Sequence, residues 1–226
     1  MKLQLKQFII LISLTIIFVG CSTARTNISY DAGQGQVAMI PKPVVGTLLP
    51  VVDARQGTRP YPKQVIRHTD YSGNVSSGIN DKDVEDVFRD SLEAELGRLG
   101  IKMVRAQLKT PLDKESAAEV RKEMMDRYPT VQVAFGAKVL EFMADSKKTL
   151  IGNDVHVSGW IQFYVLDVKT GDVLWSDYKT EWDDKVASAD RNKMIEQLDN
   201  ALTSLMQKSV RDNLSLRDLL VKISSR

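Results

Sequence analysis

Val155–Val168 reads VHVSGWIQFYVLDV. Its odd positions carry Val155, Val157, Ile161, Phe163 and Val165; its even positions carry His156, Ser158, Trp160, Gln162 and Tyr164. Side chains alternate across a strand, so this is a strand with one core face and one mixed face. Asp167-Val-Lys-Thr-Gly171-Asp172 follows as a short turn with glycine where a left-handed residue is needed, and Val173–Trp182 returns antiparallel. Upstream, Val131–Phe142 alternates through Val131, Val133, Phe135, Ala137 and Val139, then shifts phase through Leu140 and Phe142; Gly136 or the phase shift marks a bulge. Residues 131–182 therefore form a three-stranded meander.

Amphipathic helices flank the meander. Asp81–Leu99 places Val84, Val87, Phe88, Leu92, Leu96 and Leu99 at helical spacing, with acidic residues at its start and Gly100 as its stop. Ile101–Val104 is a short strand. Asp113–Tyr128 reads as a second helix with a weaker stripe, ended by Pro129. Ser188–Asn213 is the strongest helix, with Ser188 as N-cap and a wide stripe from Met194 to Val210. A last helix starts at Ser215, with Asp218 as capping partner. Before the first helix, Val44–Val52 is a short strand that bends or lies at an edge at Pro50, and 56–79 is a hairpin or long flap around Tyr71-Ser72-Gly73. Residues 44–226 make one α+β domain, a mixed or antiparallel sheet with the three-stranded meander, packed against amphipathic helices.

The chain begins MKLQLKQFIILISLTIIFVG. Lys2 and Lys6 precede an apolar run from Phe8 to Val19, about 18 Å as a helix against a hydrocarbon core of roughly 30 Å. Residues 1–20 are thus expected to be a signal peptide. Val19-Gly20-Cys21-Ser22 resembles the lipobox of bacterial lipoproteins, with Phe18 where that pattern prefers leucine. The resemblance implies that Cys21 is lipidated and becomes the new amino terminus, anchoring the protein to a membrane. Ser22, rather than aspartate, implies an outer-membrane lipoprotein facing the periplasm. Residues 21–43 then read as the lipidated cysteine and a flexible tether, with Gln36–Ile40 as an alternative edge strand.

Lipobox, tether, a strand ending in Asp53-Ala54-Arg55, flap, helix, strand, meander and long helix together resemble the YajG-like family of uncharacterised bacterial lipoproteins. The residues carrying the resemblance are Val51–Arg55 and Val87–Gly100 (VFRDSLEAELGRLG), then Val131–Phe142, the meander and the helix after Ala187. The segment 106–128 and the tail after 214 are longer than in the simplest members. The family implies a periplasm-facing domain and no reaction.

The chain's 31 basic and 29 acidic side chains differ by the two lysines of the export segment, so the exported part is formally neutral. That gives no electrostatic footprint for nucleic acid. One cysteine excludes an internal disulfide, and His68 and His156 stand in no metal-binding spacing, so neither a metal nor a cofactor is expected. No nucleophile motif is present, and no catalytic residue is assigned. The polar candidates are Asp53 and Arg55, read as an anchor for the flap or a partner contact and, in preference, as a surface ion pair worth under about 1 kcal/mol. Trp160 and Trp182, with the acidic stretch 181–184, are candidates for glycan or peptidoglycan contact, weighed against core packing and a solvated strand end. The leading expectation is a non-enzymatic scaffold or interaction module in envelope assembly or maintenance, with an envelope protein as partner. A glycan-binding module and a hydrolase with dispersed carboxylates are the alternatives.

Overall fold

The computed structural model describes residues 24–30, 40–56, 62–186 and 190–226. The signal segment, Cys21, Ser22 and Ser188 lie outside the described residues, as does most of Gln36–Ile40. The fold is α+β, with nine strands among the described residues. These are β1 (Ala24–Thr26), β2 (Val44–Leu48), β3 (Val52–Asp53), β4 (Gln64–Thr69), β5 (Val75–Asn80), β6 (Ile101–Met103), β7 (Val133–Thr149), β8 (Gly152–Asp167) and β9 (Val173–Val186). The helices are α1 (Val84–Arg98), α2 (Ala117–Arg127), α3 (Arg191–Met206) and α4 (Leu214–Ser224), and a π-helical turn, Gln207–Arg211, extends α3.

β7 organises the sheet. One of its edges carries β2, β3 and β4 in succession, all parallel to it. Its other edge carries β8, and β8 carries β9, both antiparallel: the meander. β6 extends the sheet beyond β2, while β5 and then β1 extend it beyond β4. The short strands β2 and β3 are one strand broken around Pro50, as its missing N–H requires.

The bulge lies between Val139 and Glu141, at the phase shift. Gly136 serves another purpose. A Cβ there would stand 2.6 Å from the Leu112 Cβ and 2.7 Å from its carbonyl oxygen, so glycine lets the 104–116 segment cross the sheet closely.

The bulge resets which face each β7 residue serves. Directly opposed residues share a face, so Phe135, Val139, Phe142 and Ala144 line up with Val165, Ile161, Gly159 and Val157. This face is buried under α1, α3 and α4, with Phe88 of α1 edge-on to Phe142 at 5.1 Å. The other face is covered only at one end, where Leu108, Leu112, Val120 and Met124 pack on Ala134, Tyr164 and Leu166. Among the described residues, nothing covers the rest of that second face.

Local details differ from the sequence reading. α2 starts at Ala117 because Asp113 and Ser116 bond each other's backbone: Ser116 N donates to Asp113 Oδ1 at 2.9 Å and Asp113 N to Ser116 Oγ at 2.9 Å. That closes a turn before the helix. Asp190 caps α3 by accepting from Asn192 N. Asn213, not Ser215, caps α4, accepting from Leu216 N at 3.0 Å.

The segment expected to be a tether is docked where it is described. β1 pairs with β5, Ile28 is buried, and Ile28 N donates to Asn80 Oδ1 at 2.8 Å. Tyr30 donates its hydroxyl to the buried Glu95 carboxylate, which also accepts from Arg98 at 2.9 Å. A three-residue edge strand carries no sequence period, which is why it escapes pattern reading.

Candidate functional site

The open face holds a trough made by strand alternation. Cross-strand register brings Glu141, Trp160 and Lys179 together, then Met143, Ser158 and Glu181, then Asp145, His156 and Asp183, then Lys147, Asp154 and Lys185. β4 adds Arg67 beside Asp145 and Thr69 beside Lys147. The outer part encloses about 760 Å³ between Arg67, Val75, Asp154, His156 and Lys185. An inner part of about 480 Å³ lies around the bulge, lined by Gln56, Glu141, Met143 and Trp160. Arg67 and Asp145 border both parts.

Most charged groups in the trough have partners fixed by register. The Arg67 guanidinium grips Asp145 bidentately, Nε to Oδ1 at 2.5 Å and Nη2 to Oδ2 at 2.8 Å, and this bond raises the arginine pKa further. His156 Nδ1 lies 2.7 Å from Asp183 Oδ1. Ser158 donates to Glu141 at 2.7 Å. The Lys179 ammonium sits 3.8 Å from the Trp160 ring centroid, and Trp160 Nε1 donates to Asp177 at 3.3 Å. The result is a rigid strand surface of alternating charge, with an indole at its inner end and the exposed Lys147, Asp154 and Lys185 at its outer rim.

Trp160 and Trp182 do not meet. Trp182 pairs with Val157 and faces the helix layer, where it is partly buried and 5.3 Å from the Lys193 ammonium. Trp160 faces the trough. The 181–184 stretch divides the same way: Glu181 and Asp183 face the trough, while Asp184 faces the helices and is bonded to Lys193 at 2.8 Å. That bond holds the Asp184 carboxyl below its usual range. The two tryptophans therefore lie on opposite faces of the sheet, and of the two it is Trp160 that borders the trough.

Asp53 and Arg55 are not a surface pair. Their side chains are 8% and 2% exposed, and the guanidinium donates to both carboxylate oxygens at 2.8 and 2.7 Å. It also donates to the carbonyls of Pro62, Gln64 and Phe142 at 2.7–3.0 Å. Arg55 thus anchors the start of the β4–β5 hairpin to the bulged region of β7, forming part of the trough's inner floor.

The sequence points to the even face of β8, but Arg67 and Asp145 come from strands whose register only the structure supplies. Among the described residues there is no group of three or more histidine, cysteine, aspartate or glutamate side chains arranged to hold a metal ion, and no helix is long and apolar enough to cross a membrane.

No protein-family model matches the chain, and no curated protein matches it. Solved structures do. A protein from Xanthomonas campestris, assigned to the DUF330 family model, superposes with a TM-score of 0.50 at 12% identity, over 87% of this chain and 95% of its own. A lipoprotein from Neisseria meningitidis gives 0.36 at 10% identity, over 72% and 98%. PelC from Paraburkholderia phytofirmans, solved as a dodecamer, gives 0.36 at 12% identity, over 79% and 97%. The chain shares its fold with the Xanthomonas protein.

Proposed function

We propose that the chain is a non-enzymatic, lipid-anchored protein of the bacterial envelope, held in the outer membrane through Cys21 and binding a partner protein with its open sheet face. The lipobox-like Val19–Ser22 supports the anchor, and Ser22 supports the choice of membrane. The observation that carries the binding role is the trough itself. Several of its charges are held in cross-strand pairs and others stand exposed at its rim, which suits recognition of a surface of complementary, mixed charge. Arg67 and His156 already engage Asp145 and Asp183, which favours binding over a hydrolase reading of those carboxylates.

The test is in-cell photocrosslinking, with the reactive group placed at Asp154 in the trough or at Asn200 on the solvent side of α3. Discrete protein adducts from position 154 and none from position 200 support the reading. No adduct from 154, or the same adducts from both positions, contradicts it.

A further inference from the structure

One end of the sheet gathers exposed apolar side chains. Leu150 and Ile151, at the turn between β7 and β8, are 94% and 88% exposed, the two most exposed large apolar residues among those described. Tyr71, in the β4–β5 turn, is 56% exposed; it donates its hydroxyl to the Thr149 carbonyl, so the two turns are joined. Val75, 59% exposed, begins β5 beside them and pairs with Thr69, which pairs with Lys147. Lys148 places its ammonium 4.9 Å from the Tyr71 ring centroid, and Lys147 is exposed next to it. The acidic residue of the turn, Asp70, is occupied by Asn74 and Ser72, and those bonds hold its carboxyl below the usual range. Two protruding aliphatic side chains, a tyrosine and flanking lysines are the composition of a bilayer-interface contact.

The chain's direction supplies the occupant. β4 and β7 run toward this end, and β5 and β1 run away from it. β1 therefore begins on the side nearest the turns, with Ala24 opposite Gly78, three residues along β5 from Val75. Cys21 is three residues before Ala24, so the contour between them is at most about 11 Å. A lipid on Cys21 cannot let this domain drift away from the bilayer. We infer that the Leu150–Ile151 turn, with Tyr71 and Val75, rests in the leaflet that holds the anchor. The inference rests on the anchor reading above and fixes the orientation of the domain: the membrane end is the turn end of the sheet, and the trough opens beside the membrane.

Because Cys21 is the chain's sole cysteine, a new one is a unique labelling site once Cys21 is acylated. The test labels the full-length, membrane-purified protein at Ile151→Cys or at the exposed control Met125→Cys on α2, reconstituted in phosphatidylethanolamine–phosphatidylglycerol vesicles. Nitroxide-bearing lipids then serve as quencher, and flotation is measured on the same samples. Quenching at least threefold stronger at position 151 than at 125 is the expected result. Protein that floats with equal quenching at both positions overturns this inference and leaves the anchor standing. Protein that does not float overturns the anchor, and this inference with it.

Discussion

Arg55 and Asp53 form a buried ion pair whose guanidinium also ties together three separate carbonyls, those of Pro62, Gln64 and Phe142. Removing one member leaves a charge without its partner in a site from which water is excluded. Arg55→Ala is expected to cost about 3–5 kcal/mol of folding stability. Arg55→Lys recovers little, since an ammonium cannot span the same fork of acceptors. Denaturant unfolding of the two variants checks this; a loss below 1 kcal/mol for Arg55→Ala would show that the pair behaves as a surface one.

Gly136 is set against Leu112 with no room for a methyl group. The contact includes backbone, so rotamer change cannot relieve it. Gly136→Ala should lower stability by about 1–3 kcal/mol, measured by thermal or denaturant unfolding. An unchanged midpoint would mean that the 104–116 crossing is loose.

Asp199 and Tyr30 give the protein a pH signature, both through the docked amino-terminal segment. Asp199 accepts from Ser29 N at 3.1 Å, and burial raises its pKa above the usual carboxylate value. A raised folded pKa means stability that is complete below the unfolded pKa of about 4 and lost as pH rises through the folded one. Asp199→Asn keeps an acceptor for Ser29 and removes the charge. It should raise the unfolding midpoint at pH 7 and leave it nearly unchanged at pH 3. Tyr30 follows the same sign at the alkaline end. Burial and then its bond to Glu95 push its hydroxyl well above the ordinary value, so its contribution is lost as pH climbs beyond about 10. Stability of Tyr30→Phe should fall less steeply above that pH, in a series of unfolding curves.

Arg67 separates binding from stability. Its side chain is half exposed, so the ion pair with Asp145 is worth about 0–1 kcal/mol to folding. Arg67→Ala should therefore unfold within about 1 kcal/mol of the parent and yet lose the adducts formed from position 154. Adducts retained at full yield would place the binding surface elsewhere.

The meander and the helices were legible because each carries a sustained period: alternation in Val155–Val168, three-to-four spacing from Val84 to Leu99 and from Met194 to Val210. Alternation within β8 alone assigns Trp160 to its mixed face. That Trp182 lies on the opposite face depends on the β8–β9 register, which no single strand encodes. The burial of Arg55 is hidden for a similar reason: its carbonyl acceptors belong to residues 62, 64 and 142, and the last is 87 residues away. The docking of residues 24–30 was hidden too, since Asn80, Glu95 and Asp199, which hold it, are 50 or more residues away.

The proposed role depends on a lipid at Cys21 holding this domain in the envelope. Intact-mass measurement of the protein extracted from purified outer membranes tests it most directly. The expected result is a mature chain beginning at Cys21 and carrying the added mass of a thioether-linked diacylglyceryl group and an amide-linked acyl chain. A mature chain of unmodified mass, recovered in the soluble periplasmic fraction, would contradict it.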